Sequence, residues 1–190
     1  MSSMGGHRRP ATREEARALA HPLRLRILRL CLDRALTNKQ LAERLGADPG
    51  TVLFHVRTLV KTGFLAAEPV RQGGHGAFEK PYRATGKSWT VDVGEETAGQ
   101  PSAVMAALEA FRAELEEAGP ESVRGMTRLA LTLNQGSLKE LRDRLGEVLE
   151  EFAARPSDPG GEPIGLFLGL HRRAEPGGQG AGSGGVSPTS

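Results

Sequence analysis

Between Asp48 and Gly63 the chain reads DPGTVLFHVRTLVKTG, a run whose polar members are spaced so that they could grip a polyanion. Val52, Val56, Leu59 and Val60 recur at helical spacing and form a stripe for burial. Thr51, Phe54, His55, Arg57, Thr58 and Lys61 are left to the opposite face and its flanks. An arginine so placed can make a bidentate contact to guanine or hold a phosphate, and a phenylalanine can pack on a thymine methyl. Thr37, Asn38 and Lys39 stand at another helix start, where free backbone amides suit a phosphate. Arg71 and His75 lie in the glycine-rich turn RQGGHG, with Lys80 just beyond, and suit a phosphate backbone or a minor groove. Simpler roles stay open at several of these positions. Phe54 could pack on the protein, His55 could make a structural hydrogen bond, Thr37 could serve as an ordinary cap, and the turn residues could form a solvated loop.

Other chemistries find little support. Cys31 is the single cysteine of the 190 residues, so neither an intrachain disulfide nor a multi-cysteine metal site is expected, and it reads as a small buried hydrophobe. The five histidines show no close metal-ligand spacing. His21, before Pro22 at a helix junction, reads as structural. GGHG sits in a hairpin rather than between a strand and a helix, so it is no nucleotide cradle. No nucleophile–base pair stands out, because the serines fall in caps, linkers or tails. No catalytic residue, metal site or cofactor is expected.

The elements that must position the candidates follow from caps and periodicity. Thr12 with Glu15 forms a capping box opening a short helix over 13–20, and Pro22 opens a second helix with Leu23, Ile27, Leu30 and Cys31 as its stripe. Thr37 with Gln40 opens a third, LTNKQLAERLG, which Gly46 stops. Asp48 caps the fourth, Gly63 ends it, and the short Gly-containing turn between the third and fourth makes a helix-turn-helix. FLAAEPV, the turn RQGGHG and AFEKPYRAT then read as a hairpin, the wing. Residues 92–102 read as a linker. Three helical patterns follow: Val104, Leu108, Phe111 and Leu115; Val123, Met126, Leu129 and Leu133; and Leu138, Leu141, Leu145, Val148 and Phe152, the last capped by Ser137 with Glu140. Residues 163–171, PIGLFLGLH, alternate as one strand, which needs a neighbour in its own chain or in a partner. The tail from 174 to 190 is Gly/Ser/Pro-rich and is expected to be disordered.

Charge divides the chain. Residues 1–90 hold sixteen basic and seven acidic side chains, a balance of +9, while residues 91–190 hold nine and sixteen, a balance of −7, which together give the formal +2. A basic front suits a polyanion and an acidic back does not. Apolar residues make up 38% and aromatics 4%, so the core must be built from Leu, Val and Ala. No apolar run approaches the roughly 18 residues of a membrane span, and the N-terminus lacks the apolar stretch of a secretory signal, so a cytoplasmic location is expected.

ALAHPLRLRIL, LTNKQLAERLG, TVLFHVRTLVKTGFL and FEKPYRAT, in that order and spacing, resemble the winged helix-turn-helix repressors of the ArsR type over roughly residues 12–90. The resemblance implies a dimer, double-stranded operator DNA as partner, and repression relieved by a signal. It also places Thr51, Leu53, Phe54, His55 and Arg57 at or near the DNA-facing positions. The paired-cysteine motif of the metal-sensing members is missing from LTNKQLAERLG, and their carboxylate–histidine site on the terminal dimer helices is not evident. The expected fold is mainly α (an α+β winged helix) with a C-terminal α-helical region and one terminal strand. The expected organisation is a disordered N-terminus at 1–11, a DNA-binding domain at 12–91, a linker at 92–102, a dimerisation or sensor region at 103–173 and a disordered tail from 174. Dimer contacts are expected from the first helix and residues 103–152, and a small-molecule effector of open identity is carried as a partner. The competing reading is a winged-helix protein–protein interaction module, favoured by Phe54 and Leu53 where polar readers are common. An enzyme is the remote third.

Overall fold

Capping chemistry sets where each helix begins. The computed structural model describes residues 8–72, 78–92 and 101–173. Thr12 caps α1 (Arg13–Leu19) and Thr37 caps α3 (Asn38–Leu45), each through a complete capping box with Glu15 or Gln40 at the third helical position. His21 caps α2 (Pro22–Leu30) with its Nδ1 accepting from the Leu23 amide at 3.2 Å. Asp48 caps α4 (Pro49–Lys61) by accepting from the Thr51 amide at 2.9 Å. Gly46 ends α3 at φ +59°, a left-handed conformation that a glycine adopts without steric cost.

The strands are short. In chain order they are β1 (Arg9–Pro10), β2 (Leu36–Thr37), β3 (Leu65–Ala67), β4 (Arg71–Gln72), β5 (Phe78–Glu79), β6 (Pro81–Ala84) and β7 (Val91–Asp92). β6 is the centre of an antiparallel sheet with β2 and β3, in the register Leu36 opposite Tyr82 and Leu65 opposite Ala84. β4 and β5 pair antiparallel and form the outer part of the wing. The core collects Ile27, Leu28 and Cys31 from the α2 segment, Leu41 from α3, Val52, Val56 and Leu59 from α4, Phe64 from just before the first wing strand and Leu65 from that strand. Burial pushes the Cys31 thiol up to about 11, which keeps it protonated and inert.

The sequence expectations need several corrections. Arg9 and Pro10, assigned to a disordered N-terminus, pair parallel with Val91 and Asp92, and Arg9 is tied to Glu15 at 2.7 Å. A helical turn, α5 (Lys87–Thr90), precedes β7 and has no capping side chain to announce it. The linker expected at 92–102 lies mostly outside the described residues, and α6 (Pro101–Ala118) already includes its last two. α6 joins the front half by packing on α2, with Glu117 bound to Arg26 at 3.0 Å and Glu114 facing Arg29 at 3.9 Å.

The helix expected from Val123, Met126, Leu129 and Leu133 does not form. A 3-10 turn at Pro120–Ser122 is followed by exposed, non-helical chain through residue 134. Gly125 weakens a helix there, and Leu129, Leu131 and Leu133 alternate with Ala130 and Thr132, a period of two that competes with the helical one. α7 (Gln135–Ala153) begins earlier than expected, since Asn134, not Ser137, is its cap and accepts from the Ser137 amide at 2.8 Å. The chain divides into two units, Met1–Ser157 and Asp158–Ser190. In the second, described to residue 173, the strand expected at 163–171 is absent: the chain is exposed and makes no ladder, because no strand among the described residues pairs with it. No helix among the described residues is long and apolar enough to cross a membrane.

Candidate nucleic-acid interface

The inner side of α4 sets what its outer side can present. Val52, His55, Val56 and Leu59 are buried. These positions step by three, one and three, so His55 belongs to the core-facing stripe. Its ring lies 4.3 Å from that of His21, centroid to centroid, and its Nδ1 is 3.3 Å from the Arg24 guanidinium. Arg24 is held in turn by the carbonyls of Ala18, at 2.5 Å, and Arg17, at 2.7 Å. Burial, with His21 and Arg24 beside it, pushes the His55 pKa down to about 4, so the ring is neutral near pH 7. His21 is shifted down too, by burial first and by Arg24 second, with Glu109 opposing. His55 is thus a clamp between α4 and the α1–α2 junction, and its side chain does not reach the surface expected of a DNA reader.

The outer side keeps most of the other candidates. Thr51, Phe54, Arg57 and Lys61 are exposed and Thr58 is half-buried, its hydroxyl donating to the Phe54 carbonyl at 3.1 Å. Phe54 is 64% exposed and meets His55 edge-on at 5.3 Å, so it does not fold back into the core. Lys61 is held by Glu14 of α1 at 2.6 Å, a partner from across the domain that the sequence does not announce. Both side chains are largely exposed, so the pair is easily exchanged for another anion.

At the start of α3, Thr37 is buried and occupied by its capping box. Asn38 donates from its side chain to the Pro49 carbonyl at 2.9 Å, which fixes the opening of α3 against the opening of α4. Lys39 is exposed, with Glu43 at 3.9 Å. In the wing, Arg71 faces Glu79 at 3.4 Å and Lys80 is exposed, while His75 lies outside the described residues.

The structure brings Arg57 and Lys61 of α4 together with Lys80 of the wing. All three line one open groove of about 470 Å³, whose apolar part comes from Leu53, Val60 and Tyr82. Leu53 therefore serves as groove wall, a role its half-buried position allows. Tyr82 was missed by the sequence reading, although its place in the returning strand, two residues beyond Lys80, was a usable signal. Phe78, 83% exposed on β5, was also missed. Among the described residues no group of three or more His, Cys, Asp or Glu could hold a metal ion.

Residues 19–67 match the family model described as a helix-turn-helix domain, a span from the end of α1 through β3. The chain is similar to the solved structure of reduced HlyU from Vibrio cholerae, at 20% identity over 50% of this chain and 81% of that one, with a TM-score of 0.32. It is similar to a mutant of ZitR from Lactococcus lactis at 16% identity, over 68% and 73% of the two chains, with a TM-score of 0.30. It is also similar to the transcriptional regulator SlyA at 17% identity, over 69% and 74%, with a TM-score of 0.30. No curated protein matches the sequence. Residues 19–67 are thus similar to a helix-turn-helix domain.

Proposed function

We propose that this chain, premised on its ArsR-like helix-turn-helix domain, is a dimeric transcriptional repressor that binds double-stranded operator DNA in the cytoplasm and responds to an effector other than a metal held by paired cysteines. The observation that carries the reading is the convergence of Arg57, Lys61 and Lys80 on one groove beside the outer face of α4. A helix fits the major groove and reads base edges from its exposed side, while wing cations take the backbone. Thr51, Phe54, Arg57 and Thr58 are the base-reading set, and Asn38, Lys39, Lys61, Arg71 and Lys80 are the positioning set, which His75 joins by its place in the sequence RQGGHG. Two copies related by a two-fold axis set two such helices about 34–36 Å apart, which asks for a palindromic operator.

Fluorescence anisotropy against the DNA upstream of the chain's own gene checks this. A dissociation constant on the order of 10⁻⁸ M, at least about 10³ tighter than for an unrelated duplex, is expected. Equal weak binding to every duplex contradicts it. The second reading, a protein–protein interaction module, draws on exposed Phe54 and Phe78. It gains if Arg57→Ala and Lys61→Ala leave DNA binding and its salt dependence unchanged.

A further inference from the structure

The two sides of the wing differ in charge and in polarity. From Ala67 opposite Tyr82 to Arg71 opposite Glu79, the outgoing strand advances four residues and the returning strand three. The Glu68 amide still donates to the Pro81 carbonyl at 2.9 Å, so the extra residue is a bulge between Glu68 and Arg71, where Pro69 stands. The returning strand has no insertion. Its side chains alternate without a break, so Phe78, Lys80 and Tyr82 share one side while Glu79, Pro81 and Arg83 take the other.

The second side is closed on itself. Glu79 faces Arg71 at 3.4 Å, and Arg83 holds Glu68 at 2.5 Å. On the first side Tyr82 packs against the core and, with Lys80, lines the groove beside α4. No acidic side chain lines that groove, and its charged members are Arg57, Lys61 and Lys80. Phe78 continues the row outward from Lys80 and is 83% exposed.

A ring at the outer end of a cationic row needs two things from an occupant. One is negative charge beside Lys80. The other is an apolar slot roughly 7 Å away, the advance of two strand residues. A phosphate gains nothing from Phe78, whose side chain neither donates nor accepts a hydrogen bond. A duplex supplies both features in fixed geometry. Its minor groove is about 6 Å wide, with phosphates along the edge and the base stack as the floor. An apolar side chain driven between two base pairs parts them and bends the helix.

We infer that Phe78 is a wedge: with α4 in the major groove, Lys80 holds the phosphate edge of the neighbouring minor groove and the Phe78 ring enters a base step there. The inference rests on the duplex-binding reading above and deepens it, by adding a residue that reads how readily DNA deforms rather than which base edges it shows. Pyrimidine–purine steps, which part most easily, are the expected targets.

The test uses the full-length protein and the DNA upstream of the chain's own gene. Single adenines on either strand are replaced by 2-aminopurine, whose emission rises when the base loses its stacking neighbour. The wild-type protein is expected to raise the emission at a pyrimidine–purine step within the bound site. Phe78→Ala should abolish the rise and Phe78→Leu should keep it, since leucine also serves as a wedge. Exchanging that step for a stiff A-tract step should weaken the wild type at least about fivefold and Phe78→Ala less than about twofold. Phe78→Ala removes no charge, so its salt slope should match the wild type's. Specific binding by the wild type with no rise at any adenine overturns the wedge and leaves the regulator reading standing. A rise that Phe78→Ala retains overturns it too. A fall in the mass of Phe78→Ala by sedimentation overturns it in favour of a contact between copies. Equal binding of the wild type to every duplex sinks the regulator reading, and the wedge with it. The wild-type emission decides the matter even if a variant fails to fold.

Discussion

Residues 13–91 and residues 123–173 both carry apolar side chains at regular spacing, yet among the described residues only the first set gathers into a buried core. In the front region each stripe faces another: Ile27 of α2, Leu41 of α3 and Leu59 of α4 meet with Phe64 and Leu65 behind them. In the back region the stripes of 129–133, of α7 and of 164–170 stay largely exposed. The difference lies in connectivity rather than composition. Short turns return α3, α4 and the wing onto one another, so their burial is local in sequence. Among its described residues the back region has one helix and no strand. Periodicity therefore predicts a face for burial, and only topology decides whether the chain itself can cover it.

That contrast is open to mutation. Ile27→Ala empties a fully buried site and should cost about 2–5 kcal/mol in chemical denaturation. Val148→Ala, on the exposed stripe of α7, should cost less than about 0.5 kcal/mol when the protein is dilute enough to be monomeric. Equal losses at the two sites under those conditions would erase the distinction between the regions.

The next effect is a pH dependence seated in the front region. His55 has a folded pKa of about 4, below its unfolded value near 6.5, so the unfolded chain binds the extra proton between the two. Stability is therefore complete above about pH 6.5 and falls as pH drops toward 4, by a loss on the order of 2 kcal/mol. His21, shifted the same way, adds to it. Glu15 acts in a separate, lower window. Arg9 first, then Lys87 and the Thr12 amide, hold its carboxyl below the usual range, so its contribution is present above the unfolded pKa near 4.3 and is lost below it. Denaturation midpoints from about pH 7.5 down to about pH 2 should fall below about pH 6.5 and again below about pH 4.3, and His55→Gln should flatten the upper fall. A smaller effect comes from Asp48→Ala, which removes the cap of α4 and should cost about 1 kcal/mol. Arg144→Ala, which breaks an exposed pair within α7, should change stability by less than about 0.5 kcal/mol.

Much of this was legible in the residues. Thr12 with Glu15, Thr37 with Gln40, and Asp48 announce their helices because a cap is a local device, spanning three residues. The order of helices and wing followed from periodicity, and so did the exposed side of α4 at Thr51, Phe54 and Arg57. His55 stood between a reader of DNA and a structural hydrogen bond, and its spacing from Val52 and Leu59, which puts it on the buried stripe, is the signal that points to the second. The Lys61–Glu14 and Arg9–Glu15–Lys87 contacts were invisible, since exposed or surface-edge ion pairs between distant segments leave no periodic trace. The strand at 163–171 failed for the opposite reason: its own pattern is clear, but a ladder is a property of two segments, and no strand among the described residues pairs with it.

The central claim is that the outer face of α4, with Arg57 and the wing's Lys80 in one groove, is the surface that meets duplex DNA. Its most direct test is the salt dependence of operator binding for the wild-type protein, Arg57→Ala and Lys80→Ala. The account predicts that Arg57→Ala weakens operator binding by about 1–3 kcal/mol, and that Lys80→Ala weakens all duplexes alike while lowering the slope of log K against log salt by about one per phosphate contact removed. Unchanged affinity and slope in both variants, with the fold intact by denaturation, would contradict it.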